Sequence, residues 1–179
     1  MRLYGLLCGV VLFPISLMAA GELSGRRAPG FSLPDVNLKQ HDLGDYRGRI
    51  VLLDVMKTEC PRCETFSRVL EEVKGKYGGK VVVLSIVSPP DTLDTVRQYM
   101  RKNFVTQPIL FDCGQVAASY LKVTPEKPSI HIPHLFLIDG RGMIRNDFAY
   151  EGNKAIFEGK ALFAELDRML APPRVAPKK

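Results

Sequence analysis

The sequence predicts an α/β fold built on a central mixed sheet flanked by helices. Two runs, IVLLDVM over 50–56 and VVVLSIV over 81–87, are almost wholly apolar and read as strands buried on both faces. Between them, Phe66, Val69, Leu70 and Val73 recur at helical spacing across 61–77, with Lys, Arg and Glu on the other side. Near the C-terminus, two short apolar runs flank Asp139-Gly140-Arg141-Gly142, the pattern of an antiparallel hairpin at a sheet edge.

Taken in order, the chain opens on a segment apart from the body. Residues 1–20 carry Arg2, then an apolar stretch without acids, then Ala19 and Ala20, which is the pattern of a secretory signal peptide or a retained anchor. Cys8 lies inside that stretch behind Leu6 and Leu7, without the small residue a lipidation site needs, and leaves with it. Residues 21–27 read as a linker, and 28–171 as one domain. The first βαβ unit runs from strand 50–56 through helix 61–77, stopped by Gly78-Gly79, to strand 81–87. A turn at Pro89-Pro90-Asp91 leads to a helix over 92–103, a short strand over 109–111 and a helix over 115–121. Strands over 135–138 and 143–150 form the hairpin, and an amphipathic helix over 154–170 closes the domain.

Composition narrows the function classes. With 46% apolar and 25% charged residues among 179, the chain is ordinary globular matter rather than a disordered or fibrous protein. The net charge of +6 is mostly a matter of the ends. Arg2 and the tail residues Arg174, Lys178 and Lys179, in the Pro-rich stretch 172–179, supply most of it. The body has no basic stripe with interleaved aromatics, so nucleic acid is not an expected partner, and membrane contact is expected only through an uncleaved N-terminus.

The chemistry is concentrated at Cys60-Pro61-Arg62-Cys63, where the first buried strand hands over to the first long helix. Two cysteines three apart at a helix start can close a small disulfide, and the first aims its sulfur at the helix amides and their positive dipole end. Pro61 suits the first helical turn, where its missing N–H is no loss, and Arg62 adds a positive charge beside the sulfur. Cys60 is therefore the reactive thiolate, and Cys63, one turn further in, the buried resolving thiol. A CxxC is also half of a zinc site, but no second CxxC or HxxxH follows, so no metal or other cofactor is expected.

With these blocks in view, the sequence resembles the thioredoxin fold, and in particular the exported thiol-disulfide oxidoreductases and redoxins of the TlpA, ResA and CcmG type. The resemblance runs from about Ala28 to Leu170: APGFSLPDVN and LGDYRGRIVLLDV, then CPRC, VTQPILFDCGQVAASYLKV and IPHLFLIDGRGMI, in that order. It implies a thioredoxin-like domain with the N-terminal extension of the redoxin type. It also makes Pro133 a cis-proline facing the CxxC, with the Ile132 backbone pairing with an incoming substrate strand. Asp54, six residues before Cys60, falls on the buried acid of thioredoxin and resembles a proton acceptor for the resolving thiol; the plainer reading is a strand-end Asp bonded to a neighbour. The implied activity is disulfide exchange in the periplasm, as a reductant. Its substrate would be an exported protein such as apocytochrome c, and its electrons would come from a membrane thiol reductase.

Several features depart from that pattern. Glu59 stands where a Trp usually precedes the first cysteine, and an acid there opposes the helix and Arg62 in setting the Cys60 pKa. The segment TPEKPSIHI between Val123 and Pro133 is longer than the family's usual link. Cys113, ahead of Gly114 at a helix start, is a third redox thiol or simply a small apolar residue. His131 and His134 flank Pro133 and raise the alternative of a copper carrier using a cysteine pair plus a histidine, although such carriers space their cysteines one residue wider. A peroxiredoxin-like peroxidase is the other alternative, but its PxxxTxxC pattern is missing: position 53 is Leu, and Thr58 lies only two residues before Cys60.

Overall fold

The computed structural model describes residues 21–126 and 131–172. The expected leader 1–20, most of the tail and Lys127 to Ile130 of the long 124–132 segment lie outside the described residues. Five strands form the main sheet: β3 (Ile50–Val55), β4 (Val81–Val87), β5 (Ile109–Phe111), β6 (His134–Ile138) and β7 (Ile144–Ala149), in the order β5-β4-β3-β6-β7. β3, β4 and β5 are parallel, while β6 and β7 run antiparallel and make the expected edge. A separate two-stranded hairpin, β1 (Ser32–Pro34) with β2 (Gln40–Asp42), precedes it.

Helices cover both faces because every side chain of β3 is buried, whichever way it points. Val51, Leu53 and Val55 pack on one side with Phe136, Ile138 and Leu84, under Val116 and Tyr120 of α3 (Gln115–Leu121) and Phe31 and Leu33 from the hairpin region. Ile50 and Leu52 pack on the other with Leu135 and Leu137. That side is covered by Phe66, Leu70 and Val73 of α1 (Pro61–Tyr77) and by Ile156, Phe157, Leu162 and Leu166. The last four belong to two helices where the sequence predicts one. α4 (Lys154–Phe157) and α5 (Lys160–Leu170) are separated at Gly159, whose φ of 96° suits a residue without a side chain. Apolar periodicity continues through this break, so spacing alone reads straight across it.

A third cluster lies at the C-terminal ends of the parallel strands. Met56, Cys63, Val87, Val96, Tyr99, Val105 and Ile109 join Val36 there, with Cys60 and Ile132 packed against them. α2 (Leu93–Asn103) contributes Val96 and Tyr99 and starts at Thr92, whose hydroxyl accepts from Thr95 N–H while Thr95 accepts in return. The crossover helices thus converge where strand ends leave backbone free for function, the usual place for a site in such sheets.

Candidate functional site

Cys60 is the N-cap of α1, and its side chain is bridged to Cys63 with Cα atoms 5.2 Å apart. The Cys63 N–H donates to Cys60 Sγ at 3.1 Å, and Pro61 opens the helix as its missing N–H requires. Cys60 is half-buried and Cys63 fully buried, so only the first sulfur is open to another molecule. On reduction, the same N–H and the dipole of a helix four to five turns long would face the Cys60 thiolate.

Facing this corner is the Ile132-Pro133 peptide, which is cis. β6 begins at the next residue, with His134 opposite Val55, which places Pro133 at the end of β3 just before the dithiol. Pro133 is buried and Ile132 packs on the same apolar cluster as Cys60 and Cys63. Ile132 and Pro133, about 70 residues further along the chain, are thereby brought to the cysteine pair.

β3, the strand that leads to the pair, carries a buried polar group. Asp54 is 1% exposed and continues the Ile50, Leu52 side of β3, the side that α1 covers. Ser85 Oγ on the neighbouring strand donates to its Oδ2 at 3.3 Å, and its Oδ1 has no hydrogen-bond partner among the described residues. Burial pushes its pKa up from the usual 3.8 to about 7, with the Ser85 bond pulling the other way. Nearby, Tyr99 Oη donates to the Cys63 carbonyl at 3.1 Å, and its own pKa is pushed up to about 12, chiefly by burial.

Around the open sulfur, the surface is charged. Arg62 is exposed; its Nη1 donates to Glu151 Oε1 at 3.0 Å and its Cζ lies 4.3 Å from the centre of the Tyr150 ring. Glu59 is exposed on the other side, in a cleft of about 220 Å³ shared with Thr58, Gln98 and Tyr99. The loop before Cys60 is tied down by Asp91, which accepts from Thr58 N–H at 3.2 Å and from the Thr58 hydroxyl, directly after a second cis peptide, Pro89-Pro90.

The remaining sequence candidates sit elsewhere. His134 is buried, with Nε2 3.4 Å from Asp147 Oδ2. Burial alone would raise the Asp147 pKa, but the His134 ring and the Ser24 hydroxyl hold it below the usual carboxylate value. His131 is exposed, its Nδ1 3.9 Å from Glu151 Oε2. Among the described residues, no group of three or more His, Cys, Asp or Glu is placed to hold a metal ion. Cys113 is free and exposed. Asp112 turns inward to accept from the Val116 N–H at 3.1 Å at the start of α3, and this carries Cys113 outward. Sequence reasoning missed Tyr99, Tyr150 and Glu151. The Arg62 to Glu151 contact spans 89 residues and carries no local pattern.

Comparison with known proteins then places the molecule. Residues 24–147, well over half of the sequence, match the AhpC/TSA family. The chain belongs to the AhpC/TSA family. It is similar to the thiol-disulfide oxidoreductase ResA of Bacillus cereus (strain ZK / E33L), 28% identical over 158 residues, covering 86% of this chain and 88% of that one. The ResA of Geobacillus kaustophilus (strain HTA426) is 29% identical over 121 residues, 68% and 66% of the two chains. Among solved structures, a thiol:disulfide interchange protein of the thioredoxin family from Chlorobium tepidum TLS superposes with a TM-score of 0.61 at 20% identity, covering 78% of this chain and 95% of that one. Peroxidoxin BcpB of Mycobacterium tuberculosis gives 0.67 at 18% identity, covering 83% and 98%. At such identities these two show the fold alone, and they show it to be thioredoxin-like. This AhpC/TSA member is an enzyme of the thiol-disulfide oxidoreductase class.

Proposed function

We propose that the chain is an exported reductant that transfers electrons from a membrane thiol reductase to disulfides of exported proteins, apocytochrome c among them. Cys60 is the nucleophile: its thiolate attacks a substrate disulfide, the substrate's other sulfur leaves as a thiolate, and a mixed disulfide forms. Cys63 then loses its proton to Asp54, attacks Cys60 Sγ, and releases the reduced substrate while the Cys60–Cys63 bridge closes. Pro61 and Arg62 shape the thiol's surroundings, and the Ile132 backbone beside Pro133 takes the substrate strand.

The observation that carries this reading is the Cys60–Cys63 bridge at the start of α1, set against the cis Ile132-Pro133 peptide. Export is supported by the leader-like residues 1–20, and proton transfer by a buried Asp54 carboxyl with a pKa of about 7. The copper reading is weaker, because His134 lies against Asp147 and His131 against Glu151.

A redox titration of the full chain, read by thiol alkylation and mass so that each cysteine is scored separately, tests the proposal. A reversible Cys60–Cys63 couple near about −270 mV is expected of a reductant. A couple near about −120 mV would reverse the direction, and failure to form the bridge would overturn the reading.

A further inference from the structure

A cation beside Cys60 would favour its thiolate, and Arg62 is the cation the CPRC motif supplies. The structure gives that guanidinium other partners, on two adjacent residues of the turn between β7 and α4. Its Nη1 donates to Glu151 Oε1 at 3.0 Å, and its flat face lies over Tyr150 with Cζ 4.3 Å from the ring centre. Glu151 Oε2 is 3.9 Å from His131 Nδ1, two residues before Pro133. An exposed ion pair is ordinarily weak because two long side chains must be held in one geometry. Here the stack already fixes the plane of the guanidinium, so less freedom remains to be lost when the carboxylate is met.

We propose that Glu151, acting with Tyr150, is a positioning residue that draws Arg62 onto the β7–α4 turn and thereby keeps the Cys60–Cys63 pair reducing. The inference rests on the reading of Cys60 as the attacking thiol. Whatever stabilises the Cys60 thiolate stabilises the dithiol over the disulfide and makes the pair more oxidising. A carboxylate that shares the charge of Arg62 weakens that stabilisation and works in the reducing direction. Glu151 touches neither sulfur in this scheme; it acts through Arg62.

The test compares full-length wild type, Glu151→Gln, Tyr150→Leu, Arg62→Gln and the Arg62→Gln/Glu151→Gln double variant. The thiolate of Cys60 is followed by its ultraviolet absorbance against pH, and the dithiol–disulfide balance by equilibration with glutathione. Glu151→Gln is expected to raise the thiolate fraction at a fixed pH below half-titration about threefold and, at a pH where Cys60 is largely ionised, to shift the glutathione equilibrium toward the dithiol by a similar factor. Tyr150→Leu should move both the same way by less. In the Arg62→Gln background, the Glu151→Gln shift should largely vanish. No shift in Glu151→Gln would overturn the inference, and so would an equal shift with and without Arg62, because the carboxylate would then act directly. A wild-type Cys60 that neither titrates as a reactive thiol nor bridges reversibly would instead overturn the parent reading, and this inference with it.

Discussion

The two cysteines of one short motif face opposite environments. On the side of Cys63, Asp54, Ser85 and Tyr99 are buried, and the Ser85 to Asp54 and Tyr99 to Cys63 hydrogen bonds are made where water cannot compete. Around Cys60, Arg62, Glu151 and His131 stand in solvent, their side chains 53%, 58% and 74% exposed. The Asp54 carboxyl is pushed up to about 7 by burial, whereas the Glu151 carboxyl is held below its usual value, with Arg62 among the causes after its own backbone N–H. Burial decides the sign: without a cation, desolvation favours the neutral acid, and with one in water the charged form wins. The inner flank is therefore suited to handling a proton, and the outer flank to setting a charge beside a thiolate.

The largest expected effect breaks the comparison altogether. Cys60→Ser should abolish disulfide reduction, while Cys63→Ser should retain the first attack and accumulate a mixed disulfide on Cys60, visible by mass. A Cys60→Ser protein that keeps full reductase activity would remove the nucleophile assignment.

Next comes the buried carboxyl. The folded state holds the Asp54 proton more tightly than the unfolded chain, with a pKa of about 7 against 3.8. Its ionisation therefore costs nothing below about pH 4, opposes folding increasingly as pH rises, and opposes it fully above about pH 7. A difference of three pKa units corresponds to about 4 kcal/mol. Asp54→Asn should thus stabilise the oxidised protein by an amount of that order at pH 8 and little at pH 4, as denaturant titrations at the two pH values would show. The same variant should slow the resolving step more than the first attack, and unchanged rates for both steps would return Asp54 to a bonded strand residue.

Removing the Tyr99 hydroxyl is a smaller change on the same flank. Tyr99→Phe removes the hydroxyl that donates to the Cys63 carbonyl beside that carbonyl's own helix bond, and should cost about 1 kcal/mol by thermal or denaturant unfolding. On the outer flank, Arg62→Gln should change stability by less than about 1 kcal/mol, since an exposed pair contributes little. A loss of several kcal/mol there would mean that the Arg62, Tyr150 and Glu151 group is structural.

Much of this was legible in the amino-acid order. α1, β4, β5 and α3 fall where the apolar pattern places them, because each buries one face or both and its period shows it. The hairpin of β1 and β2 is not separately readable: three-residue strands are too short for a period. Asp54, Cys60, Cys63 and Pro133 were marked by motif and resemblance, and the structure brings them to one end of the sheet.

What the sequence alone determined is chemistry that depends on near neighbours: a cysteine pair one helical turn apart, a proline suited to the first turn, and a strand apolar enough to be buried on both sides. What the tertiary structure decided is the environment of each charge. It buried Asp54 with the Ser85 hydroxyl as its hydrogen-bond partner, set Arg62 against Glu151 and Tyr150, and sent Cys113 outward. Electrostatic energies depend on distance and on exclusion of water, and both are set by contacts between segments 31 to 89 residues apart, which no local pattern records.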